Sequence, residues 1–314
     1  MTGATDSPGD LDEFQAQRWR MFAIAYRMLG TASDAEEIVH DAWLRWSRLD
    51  GRDVADPGAD VARVVTNLCL NALESARAQR DVYVGPWLPE PVLTASAFDG
   101  PAALSGILGP LDIAAQRESV SLTLLMLLER LTPPERAAYV LREAFEYSHR
   151  EVAELLGTTE VNARELHARA RRHAAGPHAA PVEPERWRRL VDQFIAAVRE
   201  GDRAGVEALL VTDVVLRADG GGVVSAARRP VVGRSHVARY LLGVVRRFGA
   251  GVEPFIAQVN GELGVVALAG DEIAAVIFIH ADREHTTGLD MVVNPHKLAF
   301  AQGQLSRISD QASL

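Results

Sequence analysis

The part of the chain best suited to chemistry is an arginine-rich segment near its middle. Residues 159–173 contain four arginines and two glutamates. Small and apolar residues recur there at helical spacing and mark one buried face. The opposite face presents three arginines and one small residue: Arg164, Ala168, Arg171 and Arg172. An arginine fork can hold a guanine edge or a phosphate with two hydrogen bonds. The segment therefore suits a helix that enters the major groove of DNA, although an ordinary solvated face has the same composition.

Acid–base chemistry has weaker support. Four residues of the carboxy-terminal part are candidates for proton transfer: Asp219, His236, His280 and Asp290. No spacing ties two of them together, so we predict no catalytic residue and no cofactor. Cys69 is the only cysteine, which excludes an internal disulfide and a cysteine-based zinc site. We expect Cys69 to be a small buried hydrophobe, and we predict no metal site.

Helices must position these residues in the amino half. Helical periodicity runs over Phe14–Leu29, from Ser33 to Trp46, and over Asp60–Arg80. Three capping boxes mark helix starts: they begin at Ser33, Thr132 and Ser148. The third opens a short helix that a glycine-containing turn joins to the arginine-rich helix, which is the pattern of a helix-turn-helix.

The carboxy-terminal part has a different character. After two helices near Glu185–Glu200 and Arg203–Leu210, the pattern changes to short strand-like runs, interrupted by a helix near Ser235–Phe248. The predicted strands are Val214–Ala218, Val223–Ala227, Pro254–Asn260, Leu263–Leu268, Ile273–His280 and Thr287–Val293. Helices followed by a largely antiparallel sheet predict a compact α+β domain.

Composition limits the function further. The 314 residues carry 33 basic and 42 acidic side chains, a net charge of −9. Residues 1–180 hold 18 basic and 26 acidic side chains, a net of −8. An acidic body repels DNA, so we expect weak, strongly salt-dependent binding to free DNA. No apolar run is long enough to span a bilayer and no secretory signal is visible, so we expect a cytoplasmic protein without a membrane partner.

Two segments of the amino half resemble a known family. DAEEIVHDAWLRW (residues 34–46) is similar to region 2.2 of extracytoplasmic-function sigma factors, and residues 131–172 resemble their region 4. The resemblance implies that core RNA polymerase, through its beta-prime clamp and beta flap, and promoter DNA are the partners. It assigns polymerase contact to Glu37, Asp41 and Arg45, and the minus-10 element to Arg63, Asn67, Asn71 and the segment Gly51–Ala59. It assigns the minus-35 element to the arginine-rich helix: Thr159, Asn162, Arg164, Ala168, Arg171 and Arg172.

Three further motifs resemble the sigma factors that carry a SnoaL-like carboxy-terminal extension. They are YVGPWLPEP (Tyr83–Pro91), ADGGGVV (Ala218–Val224) and NPHKL (Asn294–Leu298). Val223 stands where a lysine is usual, and His296 replaces an acid. The resemblance implies that these motifs form an internal regulatory interface that takes the place of a separate anti-sigma factor. The residues so assigned are Tyr83, Gly85, Trp87, Pro89, Asp219, Gly220, Gly221, Gly222, Asn294, Pro295, Lys297 and Leu298.

The predicted fold class is thus multidomain: two all-α sigma domains, a region 2 bundle and a region 4 helix-turn-helix, followed by an α+β SnoaL-like cone. We place region 2 at 11–82, a linker at 83–117, region 4 at 118–175, a second linker at 176–184, the SnoaL-like domain at 185–300 and a tail at 301–314. The predicted function is a sigma factor modulated by its own carboxy-terminal domain. A one-component ligand-responsive regulator and an isomerase or cyclase fused to a helical module remain alternatives, and any small ligand of the last domain is unknown.

Overall fold

A computed structural model describes residues 8–46, 57–80, 82–94, 120–174, 183–282 and 284–312. The chain divides into two compact units, one made of Met1–Asp81 and Thr123–Gly176, the other of Val82–Leu122 and Pro177–Leu314. Residues 47–56, 95–119 and 175–182 lie outside the described residues. They include much of the predicted minus-10 segment Gly51–Ala59 and parts of both predicted linkers.

The first unit is helical. Its helices are α1 (Pro8–Leu29), α2 (Ala32–Trp46), α3 (Pro57–Arg80), α4 (Leu122–Leu128), α5 (Pro133–Glu143), α6 (His149–Leu155) and α7 (Glu160–Ala174). Helix α1 is central and packs against α2, α3 and α5. Met21, Ile24 and Met28 on α1 are fully buried. Burial of such side chains contributes about 1.5–3 kcal/mol each, which makes α1 the core of the unit.

Two of the three predicted capping boxes are present. The Thr132 amide donates to Glu135 at 3.1 Å. Ser148 and Glu151 bond reciprocally, with donor–acceptor distances of 2.6 and 3.2 Å. The box predicted at Ser33 is wrong, because α2 already begins at Ala32. Thr31 occupies the position before the helix, and its hydroxyl donates to Asp34.

One buried arginine joins the helices before and after the first linker. Arg136 on α5 is 2 % exposed. Its guanidinium donates to the carbonyl of Met28 on α1 and to Glu129, each at 2.7 Å. Arg20 on α1 also donates to the Tyr147 hydroxyl at 2.9 Å. The two predicted all-α domains therefore pack together in one unit.

The second unit is an α+β domain. It contains α8 (Pro184–Glu200), α9 (Arg203–Ala208), β1 (Leu210–Asp219), β2 (Val231–Val232), α10 (Arg234–Phe248), β3 (Val252–Val259), β4 (Glu262–Ala269), β5 (Glu272–Ala281), β6 (Thr286–Val292) and α11 (Pro295–Ala312). The strand order is β2-β1-β6-β5-β4-β3. Only the pairing of β1 with β6 is parallel among the described strands.

The core of this unit lies between one face of the sheet and α8 and α10. Trp187 and Phe194 of α8 and Leu241 of α10 pack on sheet residues such as Leu216 and Leu289. The Trp187 indole donates to the carbonyl of Ile279 at 2.8 Å. Alternate residues of the strands point to the other face. Helix α11 packs against β5 and includes most of the segment 301–314 that the sequence analysis set apart as a tail.

The strand predicted at Val223–Ala227 is wrong. Those residues follow a turn in which the amides of Val223 and Val224 both donate to the Gly220 carbonyl. Gly221 and Gly222 have φ values of 58° and 75°, which a β-strand does not allow. The glycines end β1 and turn the chain before the short strand β2.

Candidate functional site

Helix α7 presents the predicted nucleic-acid-binding face to solvent. Thr159, Arg164, Ala168, Arg171 and Arg172 are exposed. Arg164 pairs with Glu160 one turn earlier at 2.7 Å, and both side chains remain about half exposed or more. An exposed pair of this kind contributes at most about 1 kcal/mol, so Arg164 can leave it for a phosphate or a base.

Asn162 differs from the rest of this set. Its side chain is half-buried and donates to the Thr158 hydroxyl at 2.7 Å, and its amide donates to Thr159 at 3.2 Å. These bonds fix the turn before α7 in place. Asn162 thus has a visible structural role in addition to the predicted one.

The inner side of α7 is held by polar contacts that sequence reasoning missed. His167 is buried, and its Nε2 lies 2.6 Å from Glu143 at the end of α5. Its Nδ1 lies 3.3 Å from Nε2 of His149 at the start of α6. Arg169 contacts Glu135 at 3.1 Å. Because these partners come from both α5 and α6, they set the orientation of α7 in the helix-turn-helix.

Helices α2 and α3 carry the other two predicted surfaces. Arg63, Asn67 and Asn71 lie at successive turns of α3, and all three are exposed. Glu37 and Arg45 of α2 are exposed, and Asp41 between them is half-buried. Spacings of four residues place each set on one helix face. Cys69, on the opposite side of α3, is fully buried, and burial raises the pKa of its thiol.

In the second unit, several of the predicted regulatory residues converge on one buried carboxylate. Asp219 ends β1 and has no exposed surface. One of its oxygens accepts from the Tyr83 hydroxyl at 2.5 Å and from the Gly221 amide at 3.1 Å. The other accepts from the Leu88 amide and from the Lys297 ammonium, each at 2.8 Å. We call Asp219, Tyr83, Leu88, Lys297 and Asn294 the Asp219 cluster.

Lys297 provides the positive charge of this cluster. Its side chain is 7 % exposed. The ammonium also donates to the Leu88 carbonyl and lies 4.0 Å from the centre of the Trp87 ring and 4.9 Å from that of Tyr83. The two aromatic rings of the linker thus enclose the cation and add cation–π attraction to the ion pair. Burial and the neighbouring Asp219 raise the pKa of Tyr83, so its hydroxyl stays protonated and donates.

Asn294 closes the cluster from the third segment. Its side-chain amide donates to the Tyr83 oxygen at 3.0 Å, and its side-chain oxygen accepts from the His296 amide at the start of α11. Leu298, which follows Lys297, and Pro89, which follows Leu88, are both buried, while Pro295 is exposed. Val223 and His296, which differ from the family pattern, are both exposed and take no side-chain part in the cluster.

The glycines of this site are required by close approach. A Cβ at Gly220 would lie 2.8 Å from the Val224 carbonyl oxygen, and one at Gly221 would collide with the Asn294 amide. A Cβ at Gly222 would lie 3.1 Å from Val84. Gly85 has a φ of 94°. Tyr83, Asp219, Asn294 and Lys297 thus come from three distant segments and meet at one place.

Sequence reasoning missed the residues that hold the following part of the linker. Asn260, buried at the β3–β4 turn, accepts from the Val92 amide at 3.1 Å. Gln304 of α11 bonds both the amide and the carbonyl of Leu93. Leu93 also forms a β-bridge with Val259 of β3. A buried glutamine on an apolar helix face was the available signal for Gln304.

A second buried carboxylate lies within the sheet. Asp290 on β6 has no exposed surface and accepts two bonds from Arg217 of β1, at 2.6 and 2.9 Å. His280 of β5 contacts the same carboxylate at 2.8 Å. The structure thus brings together Asp290 and His280, which no spacing in the sequence connects. Burial alone would raise the pKa of Asp290, but the bonds from His280 and Arg217 outweigh it and lower that pKa.

Asp219 and His236 do not join this second group. His236 lies at the start of α10, 3.1 Å from the Val232 carbonyl. Among the described residues, no group of histidine, cysteine, aspartate and glutamate side chains is arranged to hold a metal ion. Within the same part of the chain, no helix has both the length and the apolar composition needed to cross a membrane.

Comparison with known proteins agrees with this arrangement. Family models match residues 14–79 as Sigma-70 region 2 and residues 121–173 as Sigma-70, region 4. The chain is 40 % identical over 260 residues to the ECF RNA polymerase sigma factor SigJ of Mycobacterium tuberculosis, covering 81 % of this chain and 80 % of SigJ. It is 30 % identical over 295 residues to the probable ECF RNA polymerase sigma factor SigI of the same species, covering 93 % and 96 %.

A solved structure extends the match to the whole fold. The crystal structure of Mycobacterium tuberculosis extracytoplasmic function sigma factor SigJ superposes with a TM-score of 0.70 at 35 % identity, covering 92 % of this chain and 98 % of that one. Both helical regions and the carboxy-terminal α+β domain lie within this match. The chain therefore belongs to the extracytoplasmic-function RNA polymerase sigma factors, in the group with a SnoaL-like carboxy-terminal extension.

Proposed function

We propose that this sigma factor controls its own promoter-dependent activity through the Asp219 cluster. The exposed face of α2, with Glu37, Asp41 and Arg45, binds the beta-prime clamp of core RNA polymerase. The α3 stripe of Arg63, Asn67 and Asn71 holds the minus-10 element. Helix α7 reads the minus-35 element, and region 4 meets the beta flap. We also propose the boundaries predicted from the sequence, with region 2 at 11–82, region 4 at 118–175 and the SnoaL-like domain at 185–300.

The observation that carries the regulatory part is the burial of Asp219 under the linker. One carboxylate holds the linker at Tyr83 and Leu88 and the start of α11 at Lys297. Removing one partner of a buried pair costs about 3–5 kcal/mol, because the remaining charge is left uncompensated. The first part of the linker, residues 83–94, therefore has a defined docked state rather than a range of loose ones.

A docked linker is a means of control because it is covalently joined to region 2. Tyr83 follows the carboxyl end of α3 by three residues. Docking consumes the first part of the connection and shortens the free tether between region 2 and region 4. Tether length sets the effective concentration of the second binding event, so linker docking changes how well both promoter elements are held at once.

The carboxy-terminal domain acts in this proposal as a regulator and not as an enzyme. The arrangement of Asp290 and His280 resembles the orienting pair of acid–base catalysts, in which a carboxylate holds an imidazole. Here both oxygens of Asp290 are taken, by Arg217 and His280. The carboxylate thus acts as a cross-strand tie.

Reconstituted transcription tests the proposal. The full chain should enable purified core polymerase to start from a defined promoter, and the Arg171→Gln/Arg172→Gln variant should lose most of that output. Failure of the wild-type chain to bind core polymerase would overturn the sigma assignment in favour of a one-component regulator.

The regulatory part is tested in the same assay. Deleting the residues after Asp290, or the milder change Lys297→Met, should alter promoter-dependent output several-fold. Arg199→Gln, an exposed change on α8, is the matched control and should leave output unchanged. Unchanged output from both cluster variants, with their linkers shown to be more protease-sensitive, would overturn regulation through this cluster.

A further inference from the structure

One stretch of the carboxy-terminal domain is positively charged, although the protein as a whole is acidic. From Gly220 to Val252 the chain contains six arginines and no acidic residue. The protein as a whole has a net charge of −9. The stretch covers the glycine turn, β2 and the whole of α10. A local concentration of one sign in an oppositely charged protein creates a potential that selects the charge of a partner.

Helix α10 arranges part of this charge along a line. Its inner face buries Val237, Ala238 and Leu241 in the core. The outer face carries residues spaced three or four apart, which places them on one stripe. They are His236, Arg239, Gly243, Arg246 and Arg247. The stripe is about 16 Å long, at 1.5 Å per residue, and can reach across a DNA groove about 12 Å wide.

The loop before β2 adds two more arginines. Arg228 and Arg229 are exposed. The Ala227 amide donates to the Tyr240 hydroxyl at 3.2 Å, which ties this loop to α10. We call Arg228, Arg229, Arg239, Arg246 and Arg247 the α10 surface. All five are exposed, and none has a carboxylate in salt-bridge range among the residues that the structure describes.

Four other exposed arginines of the same domain have acidic residues close to them in the chain. Arg203 pairs with Glu207 at 2.8 Å. On α8, the exposed Arg186, Arg189 and Arg199 alternate with Glu185, Asp192 and Glu200. The absence of compensating acids is therefore a property of the α10 surface and not of the domain as a whole.

Gly243 in the middle of the stripe is an independent observation. Glycine inside a helix costs roughly 0.5–1 kcal/mol relative to alanine. A Cβ at this position would meet no atom within 4 Å, so the packing of the chain does not require glycine there. Glycine at this position leaves the helix backbone open to close approach by a partner.

We propose that the α10 surface binds the phosphate backbone of duplex DNA beside the promoter elements. The inference rests on the proposed function, because it adds a contact to a DNA already bound through regions 2 and 4. Guanidinium groups suit phosphates, which accept two parallel hydrogen bonds from one arginine. Contacts to phosphates position a protein without reading sequence, and a line of arginines without polar base-reading residues has that character.

Duplex DNA fits this surface better than an acidic protein does. Protein interfaces combine charge with apolar anchors such as aromatic residues. The α10 stripe itself has arginine, histidine and glycine, and its one exposed aromatic neighbour, Phe248, stacks with Arg247 at a distance of 5.1 Å. The three arginines of the helix and the two of the neighbouring loop form a concentration of positive charge, which suits the closely spaced negative charges of a phosphate backbone.

A salt titration of promoter binding tests the proposal. The holoenzyme formed with the full chain is compared with one carrying Arg239→Gln/Arg246→Gln/Arg247→Gln. Each lost phosphate contact should make the slope of log K against log salt less steep by about 0.9, so the triple variant should lose about 2 to 3 from the slope. The matched control is Arg186→Gln/Arg189→Gln/Arg199→Gln on α8, which removes the same charge and should keep the slope.

Equal slopes for both triple variants would overturn the proposal, since net charge alone would then explain the effect. So would loss of core polymerase binding by the α10 variant in the absence of DNA, because the partner would then be a protein. If the wild-type holoenzyme does not initiate at all, the proposed function fails instead. An unchanged α10 variant beside an active wild type refutes only the inference.

Position-specific cleavage gives a direct readout. Cys69 is fully buried, so Gly243→Cys offers a single accessible thiol for an iron-chelate cleavage reagent. The labelled holoenzyme should cut the promoter duplex at one discrete position. Ala196→Cys, exposed on α8, serves as the control. Cleavage from position 243 no stronger than from position 196 would overturn the proposal.

Discussion

Asp219 and Asp290 are two buried aspartates of the same sheet domain with different kinds of partner. Each has no exposed surface and each contacts a cation. Asp290 joins adjacent strands: Arg217 lies directly opposite it in the β1–β6 register. Asp219 joins segments that are far apart in the chain, at Tyr83, Leu88 and Lys297. One carboxylate reinforces a sheet that already exists, while the other holds linker residues 83 and 88, ahead of the backbone pairing that begins at Val92.

The cationic partners of the two aspartates also differ in their exposure to solvent. Lys297 is 7 % exposed, whereas the Arg217 and His280 side chains are 35 % and 25 % exposed. Water can solvate the partners of Asp290 if the carboxylate is lost, but it cannot reach Lys297 without undocking the linker. The charge of Asp219 therefore determines whether the linker stays docked, whereas the charge of Asp290 does not.

The largest expected effect is the difference between two isosteric changes. Asp219→Asn should lower the free energy of unfolding by about 3–5 kcal/mol, because Lys297 is left buried without its counter-charge. Asp290→Asn should cost less, about 1–2 kcal/mol, because its partners are partly solvated. Urea unfolding measures both. Similar costs for the two variants would show that the docked linker gives the Asp219 pair no special role.

A smaller effect distinguishes the cost of a left-handed backbone from the cost of a steric clash at the glycine turn. Gly221 and Gly270 both have positive φ values, 58° and 64°. A Cβ at Gly270 meets nothing within 4 Å, whereas one at Gly221 collides with Asn294. Gly270→Ala should therefore cost about 1–2 kcal/mol for the left-handed backbone alone, and Gly221→Ala clearly more. Thermal unfolding with a protease assay of the linker distinguishes them, and equal costs would argue against the close approach.

The smallest effect is the pH dependence of the Asp290 tie. The folded pKa of Asp290 lies below the unfolded value of about 3.9, because His280 and Arg217 stabilise the carboxylate. Its contribution to stability is thus complete above the unfolded pKa and is lost as the pH falls through the folded pKa. Acid titration of the unfolding free energy should show this loss in the wild type and a shallower one in Asp290→Asn. Parallel curves would contradict the ion pairing.

Local signals in the sequence predicted much of the fold. The Ser148–Glu151 box and the apolar periodicity of α1 and α7 depend on neighbours within a few residues, and the structure confirms them. Family motifs were needed to connect Tyr83, Asp219 and Lys297, because nothing local relates them. The pairing of Arg217 with Asp290 could not be predicted, since it follows from the register of a parallel strand pair 73 residues apart.

The glycine turn was mistaken for a strand because its valines are exposed yet typical of strands.

The docking of Leu93 beside β3 has a consequence for aggregation. β3 is the outer strand of the sheet, and its free edge would otherwise offer unpaired amides and carbonyls to another molecule. The Leu93–Val259 bridge and the bond from the Thr94 amide to the Gln258 carbonyl block part of that edge. A fragment starting at Pro184 would lack this cover and present an open template for intermolecular strand pairing. Residues 93 and 94 thus also protect the sheet against self-association, and the sheet domain is complete only with residues that precede its first helix by about 90 positions.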